Sequence, residues 1–148
     1  MKLKMKKLKD MEEIIKAIQD GTIDCIITDH APHAKEEKEQ GLEKAPNGIV
    51  GFETALAVTI TNLIDKGYIS YLDMVKLTSY NPAKILGIDK GVIEEGKIAD
   101  ITIFDPNEEY IYTEEMIVSK SKNTPYIGRK LKGQVKYTIV NGNIVYKE

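Results

Sequence analysis

Thr28-Asp29-His30-Ala31-Pro32-His33 places one carboxylate and two imidazoles within five residues. These are groups that can take up, hold and release a proton near neutral pH or bind a divalent cation. The same residues also have an ordinary reading, in which Asp29 caps a turn and both histidines are solvated loop residues. Position favours chemistry, because the segment directly follows the apolar run Ile23 to Thr28. In barrels of parallel strands, the C-terminal strand ends and the loops after them supply the reacting groups.

The elements expected to position these residues can be read along the chain. Asp10 with Glu13 resembles a capping box, and Met11, Ile14, Ile15 and Ile18 follow at helical spacing, with Gly21 as the stop. Ile23 to Thr28, with Cys25, Ile26 and Ile27 contiguous, is expected to be a parallel strand covered on both faces. His30 to Gly51 reads as a long loop, the kind of segment that often carries function. Within it, Lys35 to Glu39 reads as a solvated face of a loop that could move over a ligand. Phe52 to Ile64 shows helical periodicity closed by Gly67. A second helix capped by Ser70 and Asp73 is expected to end near Asn81, which would then cap a short helix beginning with Pro82.

Past Gly87 the pattern changes to strands, with Ile101 to Phe104 as one and Val92-Ile93 as a short candidate partner. Asn141-Gly142 predicts a two-residue type I′ hairpin that sets Ile139 opposite Ile144 and Tyr137 opposite Tyr146. The expected domains are therefore 1–87 and 88–148.

Composition agrees with a folded chain: 42% of the 148 residues are apolar and 30% charged. The net charge of −2 suggests neither nucleic acid nor an anionic membrane as a partner. The apolar runs are too short to span a bilayer, and the lysine-rich start lacks the apolar core of a signal peptide. Cys25, the only cysteine, excludes an internal disulfide, fits a cytoplasmic location and reads as a small core residue.

The strings TDHAPH, EEKE and APNGIVGFETAL resemble the last barrel strand and following loop of class I dihydroorotases in the amidohydrolase superfamily. NPAKILGI and KGVIEEGKIADITIFDP resemble the same superfamily's exit from the barrel into a small β domain. The resemblance runs from about Asp10 to Glu148. It implies an α/β fold, the C-terminal fragment of a (β/α)8 TIM-type barrel with its last strand and following helices, plus a small β-sheet domain.

It also implies a hydrolase that interconverts dihydroorotate and N-carbamoyl-L-aspartate in de novo pyrimidine synthesis, using a pair of divalent metals, usually Zn, that holds a hydroxide. Asp29 takes the place of the aspartate that contacts metal and moves the proton. His33 takes that of the histidine that binds the substrate carboxylate, and Asn47 and Gly48 match residues near the pyrimidine ring. Hydantoinase-like and allantoinase-like enzymes generally lack this histidine, so His33 favours dihydroorotate over their rings. His30 has a structural place. Asn47 departs from the family, which more often has phenylalanine there, and Lys2 to Lys9 stand where an Asn-Pro-Pro element is usual.

With two histidines in all, the chain lacks a His-x-His pair, the bridging lysine or carboxylate and two further histidines. A whole barrel needs about 250 residues. The expectation is therefore an incomplete enzyme whose missing N-terminal barrel portion reflects truncation, proteolysis or supply by another chain. Self-association into a homo-oligomer, or an irregular arrangement of the first fifty residues, is expected to follow from the surfaces left uncovered. A non-catalytic scaffold module is the alternative from another class.

Overall fold

The computed structural model describes residues 8–41 and 43–148. The lysine-rich start up to residue 7, and with it the place of the usual Asn-Pro-Pro element, lies outside the described residues. Helix α1 (Leu8–Gln19) is under way two residues before Asp10, which sits in its first turn and is not its N-cap. It ends before Gly21, whose φ of +81° suits glycine.

Ile23 to Thr28 forms no strand, contrary to expectation, and Ile27 is 74% exposed. A central parallel strand needs a hydrogen-bonding neighbour on each side. Among the described residues this segment is tied instead by the Ile26 amide donating to the Leu77 carbonyl at 2.9 Å and the Asn81 Nδ2 donating to the Asp24 carbonyl at 2.7 Å. Just beyond, His30 and Ile49 form an isolated parallel bridge. Inside the long loop, Lys35–Lys38 makes a single helical turn, α2.

Helix α3 (Ala55–Thr59) passes without a break into a wider turn of π type (Ile60–Ile64), closed by the Asp65 amide on the Ile60 carbonyl. Ser70 and Asp73 form the expected capping box at the start of α4 (Tyr71–Val75). The break before Pro82 does not occur. A second π-type turn, Lys76–Tyr80, carries the helix directly into α5 (Asn81–Leu86), and Asn81 is helical at φ −64° and ψ −45°. Proline lacks an amide hydrogen and crowds the preceding turn, and local widening is one way a helix accommodates it. Asn81 is thereby released from capping to hold Asp24.

Three antiparallel strands in the order β1 (Ile101–Ile111), β2 (Lys130–Val140) and β3 (Asn143–Lys147) complete the fold. Val92-Ile93 is not a strand. Asn141 and Gly142, at φ +50° and +77°, form the expected turn, and Ile139 faces Ile144. Tyr137, however, faces Lys147, and Tyr146 faces Thr138. Val145 is an extra residue on β3, a bulge that shifts the pairing beyond Ile144 by one.

Two apolar clusters hold helices and sheet together. One joins Val50 and Ala57 to Tyr112, Ile117 and Leu131, and the other gathers Ile60, Ile69, Met74 and Leu77 with Phe104 packed against them. Both draw residues from either side of Gly87, so the helical part and the sheet bury one another. Fully burying a side chain such as Ile60, at 0% exposure, stabilises by about 1.5–3 kcal/mol.

Candidate active-site loop

Asp29 stands at the head of the loop with its backbone in the left-handed region at φ +45°. Asp and Asn are among the few side chains that tolerate this conformation, which re-aims the chain sharply after the extended segment. Asp29 is exposed and is not packed in an apolar layer. Its neighbour His30 is structural: the ring Nδ1 accepts the Gly51 amide at 3.1 Å, with the Phe52 amide at 3.4 Å, and the imidazole stacks on the Phe52 ring at 3.9 Å. Because Nδ1 accepts, a neutral His30 carries its proton on Nε2.

The two halves of the loop meet at His33, Asn47 and Gly48. The Ala31 amide donates to the Ile49 carbonyl at 2.9 Å, and His33 Nε2 lies 2.9 Å from the Asn47 carbonyl. A carbonyl can only accept, so Nε2 bears the proton in that contact. His33 Nδ1 lies 3.7 Å from the Glu37 carboxylate, which also caps α2 by accepting the Ala34 amide. Gly48 has φ +116° and lies so close to Ala31 that no side chain would fit.

Three further residues shape the loop without having stood out in the sequence. Lys38, within the run read as solvated, donates from Nζ to the carbonyls of Pro46 at 2.9 Å and Gly48 at 3.0 Å. Asn123, ninety residues downstream, reaches across both halves. Glu53 accepts the amides of Val118 at 3.0 Å and Ser119 at 3.1 Å, tying the segment before Asn123 to the start of α3. All three act through backbone groups distant in sequence, and neither residue type nor spacing signals such a partner.

Beneath the loop, Tyr112 is 2% exposed and its hydroxyl has no hydrogen-bond partner. Burial first, then the negative charges of Glu53 and Tyr110, push its ionisation up to about 12. Beside the loop, His30, Phe52, Glu53, Val118 and Ser119 line an open cavity of about 440 Å³.

For a metal, the donor set here is incomplete. No group of three His, Cys, Asp or Glu residues among the described residues is arranged to hold a cation. Asp29 is a suitable single oxygen donor. No helix among the described residues is long and apolar enough to cross a membrane.

The loop thus carries an exposed carboxylate and an anchored histidine, set between helices and a small sheet. Residues 2–145 match the model of the Amidohydrolase family, and the chain belongs to it. Among curated relatives, a dihydroorotase of Clostridioides difficile (strain 630) is 52% identical over 137 residues, which is 93% of this chain and 32% of that protein. A dihydroorotase of Clostridium acetobutylicum is 48% identical over 139 residues, or 94% of this chain and 33% of that protein.

Among solved structures, the L-hydantoinase (dihydropyrimidinase) of Arthrobacter aurescens superposes with a TM-score of 0.88 at 30% identity, covering 95% of this chain and 32% of the other. The dihydropyrimidinase of Brevibacillus agri NCHU1002 does so at 0.87 and 28%, covering 94% and 32%. The chain thus has an amidohydrolase fold of mixed helix and sheet and spans about a third of the length of these relatives.

Proposed function

We propose that this chain is the C-terminal part of a dihydroorotase, a metal-dependent hydrolase of cyclic amides that interconverts dihydroorotate and N-carbamoyl-L-aspartate in pyrimidine synthesis. The observation that carries this reading is the Asp29–His33 loop folded against Asn47 and Gly48, in a chain about half identical to dihydroorotases over nearly its whole length. In this reading, 1–87 is the last part of a (β/α)8 barrel and 88–148 a small β domain. The exposed Ile27 flank would be covered by the missing N-terminal barrel portion or by a second copy in a homo-oligomer. A cytoplasmic location goes with it.

Family membership implies a divalent metal centre, for which we propose zinc, with Asp29 as one ligand and the remaining ligands supplied from outside the described residues. When bound, zinc lowers the pKa of a coordinated water to about 7 and polarises the amide carbonyl. Asp29 would accept the proton of the attacking water and deliver it to the leaving ring nitrogen. His33 would exchange the Asn47 carbonyl for the substrate carboxylate, an anion that suits a donating imidazole. Asn47 and Gly48 would line the ring, with Gly48 permitting close backbone approach.

The hydantoinase structures keep a second reading in view, ring opening of a substrate without a carboxylate. The test is turnover of dihydroorotate and of hydantoin by this chain joined to a complete metal-binding barrel, with and without His33→Ala. We expect dihydroorotate to be the better substrate and the variant to lose most of that preference. Equal activity on both rings, unaffected by the variant, would overturn the substrate assignment.

A further inference from the structure

Asn123 belongs to the connection between β1 and β2, yet its side-chain oxygen, side-chain nitrogen and backbone carbonyl are all engaged at the candidate active-site loop. Its side-chain Oδ1 accepts the His33 amide at 3.3 Å, and its Nδ2 donates to the carbonyls of Ala31 at 2.9 Å and Gly48 at 3.2 Å. Its own carbonyl accepts the Val50 amide at 3.1 Å. One side chain therefore bridges the segment carrying Asp29 and His33 to the segment carrying Asn47 and Gly48. The two hydrogens of Nδ2 span the halves, one toward Ala31 and one toward Gly48, while Oδ1 adds a hold on the His33 amide that a purely donating group could not supply. The two halves share few direct backbone bonds, chiefly the Ala31 amide to the Ile49 carbonyl, so side-chain bridges such as this one carry much of their register.

The bridge is itself anchored. Glu53 fixes the amides of Val118 and Ser119, and Lys122 Nζ donates to the Ile117 carbonyl at 2.6 Å, so the segment leading to Asn123 is held from both sides. Ile117 is buried in the same cluster as Val50. The β1–β2 connection thus reaches the loop through Asn123, backed by the Glu53 contacts and the apolar cluster around Val50.

We propose that Asn123 is a positioning residue: it sets the spacing between the His33 and Asn47–Gly48 segments, and so the orientation of the imidazole that holds the substrate carboxylate. The last clause rests on the function proposed above, and the spacing role does not. A displacement of about 1 Å at such a contact can change a rate by two orders of magnitude.

The test has two arms. In the 148-residue chain, nitrogen NMR of the His33 ring and amide hydrogen exchange are compared for the parent, Asn123→Ala and Asn123→Asp. We expect the parent ring to hold its proton on Nε2. Both variants should lose that preference and exchange the Ala31 and His33 amides at least tenfold faster, while the Tyr112 amide, bonded within the sheet region to Arg129, keeps its rate. Asn123→Asp keeps the acceptor but turns a carboxylate toward two carbonyls, so its loop should tighten again as acid protonates that carboxyl, a recovery Asn123→Ala cannot show. Unchanged ring state and exchange in both variants would overturn the positioning role.

In the second arm, the chain is joined to a complete barrel and assayed with dihydroorotate. Asn123→Ala should raise KM about tenfold with a smaller change in kcat. A loosened loop with unchanged KM would overturn the link to substrate. An inactive parent would count against the proposed function, leaving the first arm to decide the spacing role.

Discussion

A Cβ placed on Gly48 would stand 2.4 Å from the Cβ of Ala31, so the two halves of the candidate active-site loop touch where a side chain cannot exist. Gly48 also has φ +116°, a conformation that only glycine adopts readily. Gly48→Ala must therefore open the loop or strain it, at a combined cost of about 2–4 kcal/mol. Urea unfolding of the 148-residue chain should show the loss as a lower midpoint. An unchanged midpoint together with an unaltered His33 ring would mean that the crowding is absent.

Asp29 allows chemistry and backbone conformation to be separated. At φ +45° asparagine is tolerated nearly as well as aspartate, whereas alanine incurs about 1–2 kcal/mol for the left-handed backbone. Asp29→Asn should thus melt like the parent, and Asp29→Ala lower. In a chain completed by a metal-binding barrel, both should lose about 10²–10⁴-fold in turnover, because neither can carry the proton. Retained turnover in Asp29→Asn would remove this carboxylate from the reaction.

What could be read from the sequence was the content of the loop. Asp29 and His33 stand out by type and order, Asn47 and Gly48 only through the family resemblance, and the structure brings the last three within hydrogen-bonding or van der Waals reach of one another. The supports were not recognisable. Asn123 and Lys38 bond to carbonyls, which every residue possesses, so no pairing of side-chain types betrays them. Ile23 to Thr28 has the composition of a covered strand, but a ladder is a property of neighbours and not of the segment. Pro82 marks a helix boundary by its own chemistry, while the π-type turn that carries the helix through it leaves no signal in residue type. The hairpin turn was legible to the residue; the extra Val145 was not, since no glycine or proline marks its bulge.

Tyr112 makes alkaline stability predictable. Its hydroxyl is buried without a partner, and its ionisation is raised from 10 to about 12, chiefly by burial and then by Glu53. A raised folded value means that the neutral form is preferred in the fold. Its contribution is therefore fully present below pH 10 and is lost as pH climbs toward 12. Tyr112→Phe should remove that alkaline loss. At neutral pH the variant should be as stable as the parent or more stable by about 1 kcal/mol, because an unsatisfied buried hydroxyl is replaced by hydrogen. Denaturant melts at pH 7 and pH 11 check both points, and a variant that weakens with alkali as steeply as the parent would locate the titration elsewhere.

Gly133 and Ile60 offer a test of how sheet and helix are fitted together. A Cβ on Gly133 would lie 2.4 Å from the Ile60 Cδ1, and the glycine sits at φ +99° opposite the irregular stretch of β1 around Pro106. Two separable penalties attend Gly133→Ala: backbone strain, and collision with a fully buried isoleucine. Together they should cost about 3 kcal/mol. Ile60→Val alone deletes the colliding methyl and leaves a small cavity, for about 0.5–1.5 kcal/mol. In the double variant the collision is gone while the strain and the lost methyl remain. Its destabilisation should therefore fall short of the sum of the single changes by about 1 kcal/mol or more. Strict additivity in the denaturant melts would show that the strand moves away from the helix, and that the glycine is needed for its dihedral angle alone.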